Sequence, residues 1–253
     1  MEKLSTNQLL SHISHRPFKL QDRNWLLYQE WEHVLFVHAP VHLSTIEQCI
    51  PADLSPDAFD GSAWITLVLF STKNSRLRGK SFLPVCPAFD ELNVRTYVVH
   101  QNKPGIYFID IRSDNRLSTM LLRLFSSLRY QQVKIVREDG YCYCEFKDDR
   151  EADMKIMYHT TSTISHKSPL ENWLAERYCC YTVERNKLYS YDIHHLPWKL
   201  NWVSIDDVHA FYRAPGWQLT QTDFSLAHYA ESQQVLLWRR QLLAKHVNMP
   251  RER

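Results

Sequence analysis

Glycine is scarce, and the five present, Gly61, Gly79, Gly105, Gly140 and Gly216, are scattered. A phosphate-cradling loop of the GxGxxG or GxxxxGK kind needs clustered glycines for close backbone approach, so nucleotide cofactors are unsupported and no cofactor is expected. The G-x-S-x-G elbow of serine hydrolases is missing as well. Neither sign of charge dominates: 30 Lys and Arg against 28 Asp and Glu leave +2, interspersed along the chain. No basic field forms, which argues against a nucleic-acid partner. No run approaches the roughly 18 apolar residues of a membrane span, and Met1 to Arg23 lacks the apolar stretch of a secretory leader. The expectation is a cytoplasmic chain without a membrane partner. Cysteines are few and badly spaced for a disulfide framework: Cys142 with Cys144, Cys179 with Cys180, and Cys49 and Cys86 alone. They read as free thiols.

Histidine is plentiful, yet its spacing does not make a metal site. Pro40 breaks any helix that would align His38 with His42, and the adjacent His194 and His195 point apart on an extended segment. No metal is expected.

What remains is a chain 44% hydrophobic and 13% aromatic, enough to bury a core. Apolar segments run from Trp25 to Trp238 without a linker, so one domain is expected over residues 25–240. An N-terminal extension (1–24) precedes it, and a tail (241–253) follows that reads as a frayed helix. Strands are expected at Ala63 to Ser71, Phe89 to Val99, Gly105 to Ile111, Val133 to Glu138, Tyr141 to Phe146, Met154 to Thr161 and Tyr178 to Glu184. Hairpin turns are expected at Glu138 to Gly140 and at Asn102 to Gly105.

The stripe Leu117, Met120, Leu121, Leu124, Phe125, Leu128 predicts a helix. Ser168, Pro169 and Glu171 predict the start of another, with a capping box. Ser44 with Glu47 marks a short third, and Ser204 with Asp207 ahead of Phe211 and Tyr212 a fourth. The sum is an α+β domain with a curved, barrel-like, mostly antiparallel sheet and a few helices.

One strand is unusual. Alternation over Phe89 to Val98 puts Leu92, Val94, Thr96 and Val98 on one face and Glu91, Asn93, Arg95 and Tyr97 on the other. A central strand has both faces covered, and a buried carboxylate or guanidinium needs a partner. Either this face is a solvated ladder, or it lines an internal cavity. Glu91 and Arg95 lie about 13 Å apart along the strand, too far to pair, so Tyr107, Arg112, Arg123 and Tyr130 are candidate partners.

The chain resembles the YqjF-like family of uncharacterised conserved proteins, grouped with the acetoacetate-decarboxylase-like fold. The resemblance rests on FDGSAWITLVLF (Phe59 to Phe70), RLRG (Arg76 to Gly79), ELNVRTYV (Glu91 to Val98), KPGIYFIDI (Lys103 to Ile111), ERYCCY (Glu176 to Tyr181), HHLPW (His194 to Trp198) and AHY (Ala227 to Tyr229). It implies a curved sheet around a cavity and does not by itself carry a function. In acetoacetate decarboxylases a Gly-Phe-Pro-Lys-Lys motif after a helix supplies a Schiff-base lysine. The matching segment here is Ser127-Leu128-Arg129-Tyr130-Gln131, which places Tyr130 in the nucleophile's slot, and Glu91 matches an acidic residue of that site. Lys134, about 13 Å beyond Tyr130 on an extended chain, is a poor substitute.

The main functional reading is therefore a small polar or anionic ligand held by Glu91, Asn93, Arg95, Tyr97, Tyr107 and Arg123. The alternative is an enzyme using non-covalent acid/base chemistry on a small carbonyl or carboxylate substrate, with Glu91 as base and Tyr130 as acid or donor. Glu91 discriminates: a catalytic carboxyl should be buried with a raised pKa, a binding one held ionised by arginine. A third reading gives the outer surface the role, with the chain assembled as a homo-oligomer like decarboxylases of this fold.

Overall fold

The computed structural model describes residues 3–80, 84–126, 128, 130–138, 140–145, 152–214 and 217–249; for 122–126, 145, 152–153, 208–214, 217 and 221 it describes the backbone alone. The strands are β1 (Leu27–Val41), β2 (Ser55–Pro56), β3 (Ala63–Leu77), β4 (Phe89–His100), β5 (Lys103–Ser113), β6 (Gln131–Gln132), β7 (Lys134–Glu138) and β8 (Tyr141–Glu145). There follow β9 (Ala152–Thr163), β10 (Cys179–Glu184), β11 (Lys187–His194), β12 (Asn201–Ala214), β13 (Trp217–Leu219), β14 (Leu226–Leu237) and β15 (Gln241–Ala244). The helices are α1 (Thr6–Ser11), α2 (Leu43–Glu47), α3 (Arg116–Ser126) and α4 (Pro169–Ala175). No described helix is long and apolar enough to cross a membrane.

The strands form one mixed sheet that curls into a ring. Its path runs β11-β10-β5-β4-β3-β1-β14, and β14 returns to β11 through Ile193 opposite Leu237 and His194 opposite Leu236. Most pairs are antiparallel, whereas β10 joins β5 in parallel at Cys180 opposite Ile106. Gly105 sits at that junction. A Cβ there would lie 2.7 Å from the Cys179 carbonyl oxygen, so only glycine lets β10 approach. From β14 the sheet continues through β12, β9, β8 and β7 as a limb outside the ring.

Alternation sorts the side chains into two faces. On one, Leu35, Val37, Leu67, Leu69, Leu92 and Val94 of the ring pack with Cys144 and Ile156 of the limb. On the other, Leu174 of α4 shares a cluster with Trp64 (β3), Tyr97 (β4), Ile106 (β5), Cys180 (β10), Ile193 (β11) and Val235 (β14). Its neighbour Ala175 packs with Val34 and Phe36 of β1. One short helix that reaches strands all round the ring must be enclosed by it, so this second face turns inward. The first is the apolar outer face, covered by the limb.

Local chemistry sets most boundaries. The β4–β5 turn has Gln101 and Asn102 at φ 48° and 62°, a geometry that suits Asn and the twist of a two-residue hairpin. The turn is thus tighter than the expected Asn102 to Gly105, and Lys103 and Pro104 already belong to β5. In α4 the Ser168 hydroxyl accepts from the Glu171 amide while the Glu171 carboxylate accepts from the Ser168 amide, with Pro169 at the first position. Two expected helices are strands instead. Ser204 to Tyr212 lies in β12 and pairs with β9 throughout. Irregularities in the pairing at Val203 and Asp207 shift the apolar alternation out of phase and imitate a helical spacing. Residues 241–244 form β15 on the edge of β11 rather than a frayed helix.

Candidate functional site

Between β3 and β5, strand β4 has both edges paired, so its inward side chains are fixed by the ladder on each flank. Glu91, Asn93, Arg95 and Tyr97 all lie on this face and all are buried, none more than 7% exposed. The solvated-ladder reading is therefore wrong for this strand.

At one end of the row, Tyr130 donates its hydroxyl to Glu91 Oε2 at 3.0 Å, and the Asn93 amide donates to Glu91 Oε1 at 3.1 Å. Tyr130 arrives from the connector after α3 and packs with Cys86, Phe89 and Ile111. Desolvation dominates the electrostatics, with the two hydrogen bonds opposing it, and the Glu91 pKa is pushed up to about 7. Burial and the adjacent carboxyl push the Tyr130 phenol well above its ordinary value, so it remains a proton donor. The Cys86 thiol is likewise raised by burial and stays protonated. At neutral pH the site thus holds a carboxyl poised between its two forms against a neutral phenol.

At the other end, Tyr97 donates to the Leu174 carbonyl at 3.1 Å, and the Arg95 Nη2 points at the same oxygen from 3.5 Å. With its only proton committed, the Tyr97 oxygen must accept from Thr66 Oγ1 at 2.7 Å. Thr66 then accepts from His38 Nδ1 at 2.9 Å, leaving His38 Nε2 to accept from His228 Nδ1 at 3.1 Å. One directional chain therefore fixes both tautomers. Burial depresses both imidazoles, His228 to about 4 and His38 well below the usual range, in keeping with two neutral rings. Tyr97 is fully engaged in this chain, so it braces Arg95 from behind. The Arg95 guanidinium carbon lies 5.4 Å from the Phe36 ring centroid. Arg95 Nε and Asn93 Oδ1 are buried and make no hydrogen bond among the described residues.

Two of the candidate residues, Tyr107 and Arg112, do not join this row. Tyr107 is paired with Thr96 and packs with Leu67 and Val94 on the outer face, because alternation on β5 puts it opposite the polar row. Arg112 faces Leu92 and bonds Asp110 at 2.6 Å, so it serves neither Glu91 nor Arg95. Arg123 falls within α3, and its side chain lies outside the described residues.

The pattern also hid participants. The pattern does not assign His38, Thr66 or His228 to this row, since each reaches it only when β1, β3 and β14 close around β4. Alternation along β1 is the available clue for His38, which shares the phase of Val34 and Phe36. Among the described residues no three His, Cys, Asp or Glu converge to hold a metal.

The chain matches the DUF2071 family model, described as an uncharacterized conserved protein, over residues 28–234. It is 36% identical over 237 residues to the uncharacterized protein YqjF of Bacillus subtilis (strain 168), covering 91% of this chain and 98% of that one. Among solved structures it resembles the enduracididine biosynthesis enzyme MppR complexed with pyruvate (TM-score 0.58, 13% identity, 90% of this chain and 93% of that one). It also resembles the acetoacetate decarboxylase of Legionella pneumophila subsp. pneumophila str. Philadelphia 1 (TM-score 0.57, 10% identity, 96% and 98%). At these identities the structural likeness concerns the fold, which is acetoacetate-decarboxylase-like.

Proposed function

This chain belongs to the DUF2071 family of conserved proteins, and from the carboxyl–phenol pair on its inward face we propose an enzyme that moves a proton on a small carbonyl-bearing carboxylate. The observation that carries this reading is Glu91. Its carboxyl is buried, bonded by Tyr130 and Asn93 rather than by an arginine, and raised to about 7. A general base works best with a pKa near the working pH, which is where this carboxyl lies.

In the proposed step the ionised Glu91 takes a proton from the carbon next to the substrate carbonyl. The electron pair of the broken C–H bond becomes the carbon–carbon double bond of an enolate, and the carbonyl pair moves onto oxygen. There the Tyr130 hydroxyl, turned from the now protonated Glu91, donates a hydrogen bond, and Glu91, after trading its proton with solvent, delivers one back to carbon to complete the exchange. Arg95 would receive the carboxylate. Fold neighbours with oxo acids in their names, one complexed with pyruvate and one an acetoacetate decarboxylase, support this substrate class. A lysine Schiff base is not part of the proposal: Tyr130 stands in the slot that the resemblance gives the nucleophile, and Lys134 is exposed on β7.

A second reading, simple binding of a small polar or anionic molecule, is favoured by the buried Arg95 Nε and Asn93 Oδ1, which have no partner among the described residues. The experiment that separates the two is proton NMR of pyruvate and 4-oxopentanoate with the protein in D2O. Proton transfer predicts deuterium entering next to the carbonyl, slowed about 100-fold or more by Glu91→Gln and at least tenfold by Tyr130→Phe. Exchange that Glu91→Gln leaves unchanged would remove the catalytic reading. Loss of ligand binding in Arg95→Ala without any exchange in wild type would leave binding alone.

A further inference from the structure

We propose that the inward face of β4 is a two-pole site for an elongated monocarboxylate, its carboxylate held near Tyr97 by Arg95 and Arg177 and its reacting carbon presented to Glu91. This rests on the proton-transfer reading and adds to it the length and charge of the substrate.

The anionic pole is built from two guanidiniums around one ring. The Arg177 guanidinium carbon lies 4.9 Å and the Arg95 one 6.0 Å from the Tyr97 ring centroid, and both residues are 7% exposed. Arg177 donates to Asp57 Oδ2 and to the Trp173 carbonyl, both at 2.6 Å, and stacks over the Trp173 ring. Asp57 therefore balances Arg177, and no carboxylate bonds Arg95 among the described residues. The other buried acid nearby, Glu171, accepts from the Ser168 amide and lies 4.0 Å from His228. Arg95 Nε and Arg177 Nη2 are buried donors with no acceptor among the described residues. A buried guanidinium without an anion is strongly unfavourable, and one carboxylate would supply the missing charge and acceptors together.

The reactive pole is Glu91 with Tyr130, and the distance between poles sets the ligand's length. Along the strand Glu91 and Arg95 are about 13 Å apart; about 4 Å for a guanidinium–carboxylate pair and about 3 Å for contact at Glu91 leave about 6 Å, a chain of about five bonds. Midway, Asn93 turns its amide N–H to Glu91 and leaves Oδ1 buried with no donor among the described residues. A hydroxyl or amide N–H in the middle of the ligand would satisfy it. The class is an acyclic carboxylate with a carbonyl four or five carbons from the carboxyl group, longer than pyruvate.

The test is a length series of methyl keto acids, pyruvate, 4-oxopentanoate, 5-oxohexanoate and 6-oxoheptanoate, followed by deuterium exchange next to the ketone with the full chain. The expected result is a kcat/KM that rises along the series, at least tenfold from pyruvate to 6-oxoheptanoate, and a loss of that gain in the methyl ester of the longest acid. Arg95→Gln and Arg177→Gln are each expected to shrink the acid-to-ester preference toward one. A maximum at pyruvate, or an ester as good as its acid, would overturn the two-pole assignment while leaving proton transfer standing. Exchange absent from the whole series would overturn both. The length and ester comparisons need only the wild-type protein, so they separate these outcomes even if a variant fails to fold.

Discussion

A carboxyl group that ionises only near pH 7 is a liability to the fold that carries it, and at the residue scale this is the signature of Glu91. Its pKa rises from 4.5 to about 7, so between those values the folded state binds the proton that the unfolded state releases. Stability from this group is present below 4.5 and lost as pH climbs through 7, amounting to roughly 3 kcal/mol. Glu91→Gln, a neutral isostere, should therefore be more stable than wild type at pH 8, by about 1 to 3 kcal/mol in urea unfolding, with the difference shrinking toward zero at pH 5. Equal stabilities at both pH values would mean that the carboxyl is solvated. Activity has the opposite sign: the base is competent only when ionised, so exchange should rise with pH through about 7.

At the element scale two short features position the site. The Ser168 cap holds α4, and α4 presents the Leu174 carbonyl on which Arg95 and Tyr97 converge. Ser168→Ala should lower stability by about 1 kcal/mol in thermal or urea unfolding. Gly105→Ala should be worse, because its Cβ meets backbone and the Tyr181 ring where β10 joins β5 in parallel. A loss of about 1 to 3 kcal/mol is expected, and an unchanged melting temperature would show that the junction can yield.

These two elements also show what could be read without coordinates. The capping box and the alternation of β4 are local patterns, so Ser168 and the inward row Glu91, Asn93, Arg95 and Tyr97 were legible. Tyr107 was not legible in this way, because its face depends on the β4–β5 register, which sets it opposite Thr96 on the outer side. β12 imitated a helix because irregular pairing breaks its period. The groups around Tyr97 stayed hidden for a different reason: Thr66, His38 and His228, which run in a hydrogen-bonded chain from its hydroxyl, and Arg177, which lies over its ring, are brought there by ring closure.

On the scale of the whole molecule, the ring keeps its apolar face outward under the limb and folds polar groups inward, and this inversion makes the protein sensitive to acid. On the inward face His228 is depressed to about 4 and His38 lies well below its ordinary value, and on the opposite face of β11 His194, bonded to the Leu9 carbonyl, is also depressed to about 4, all through burial. For such groups the unfolded state binds more protons below 6.5, so their stability is present above that pH and lost as it falls toward 4. Glu91 opposes them over its own window, but three histidines outweigh one carboxyl. The net loss between pH 7 and pH 4 should be about 3 kcal/mol or more, seen as a lower urea midpoint at the acid end. A midpoint that holds or rises on acidification would contradict the buried, neutral imidazoles.

The polar interior is an enzyme's site only if Glu91 titrates where its burial places it. Carbon-13 NMR of glutamate-labelled protein, with Glu91→Gln supplying the assignment, measures that midpoint directly. A value near 7 is expected, moving higher in Tyr130→Phe because the lost hydrogen bond favoured the ionised form. A midpoint near 4.5, unmoved by that substitution, would mean an ordinary carboxylate and no proton-transfer site.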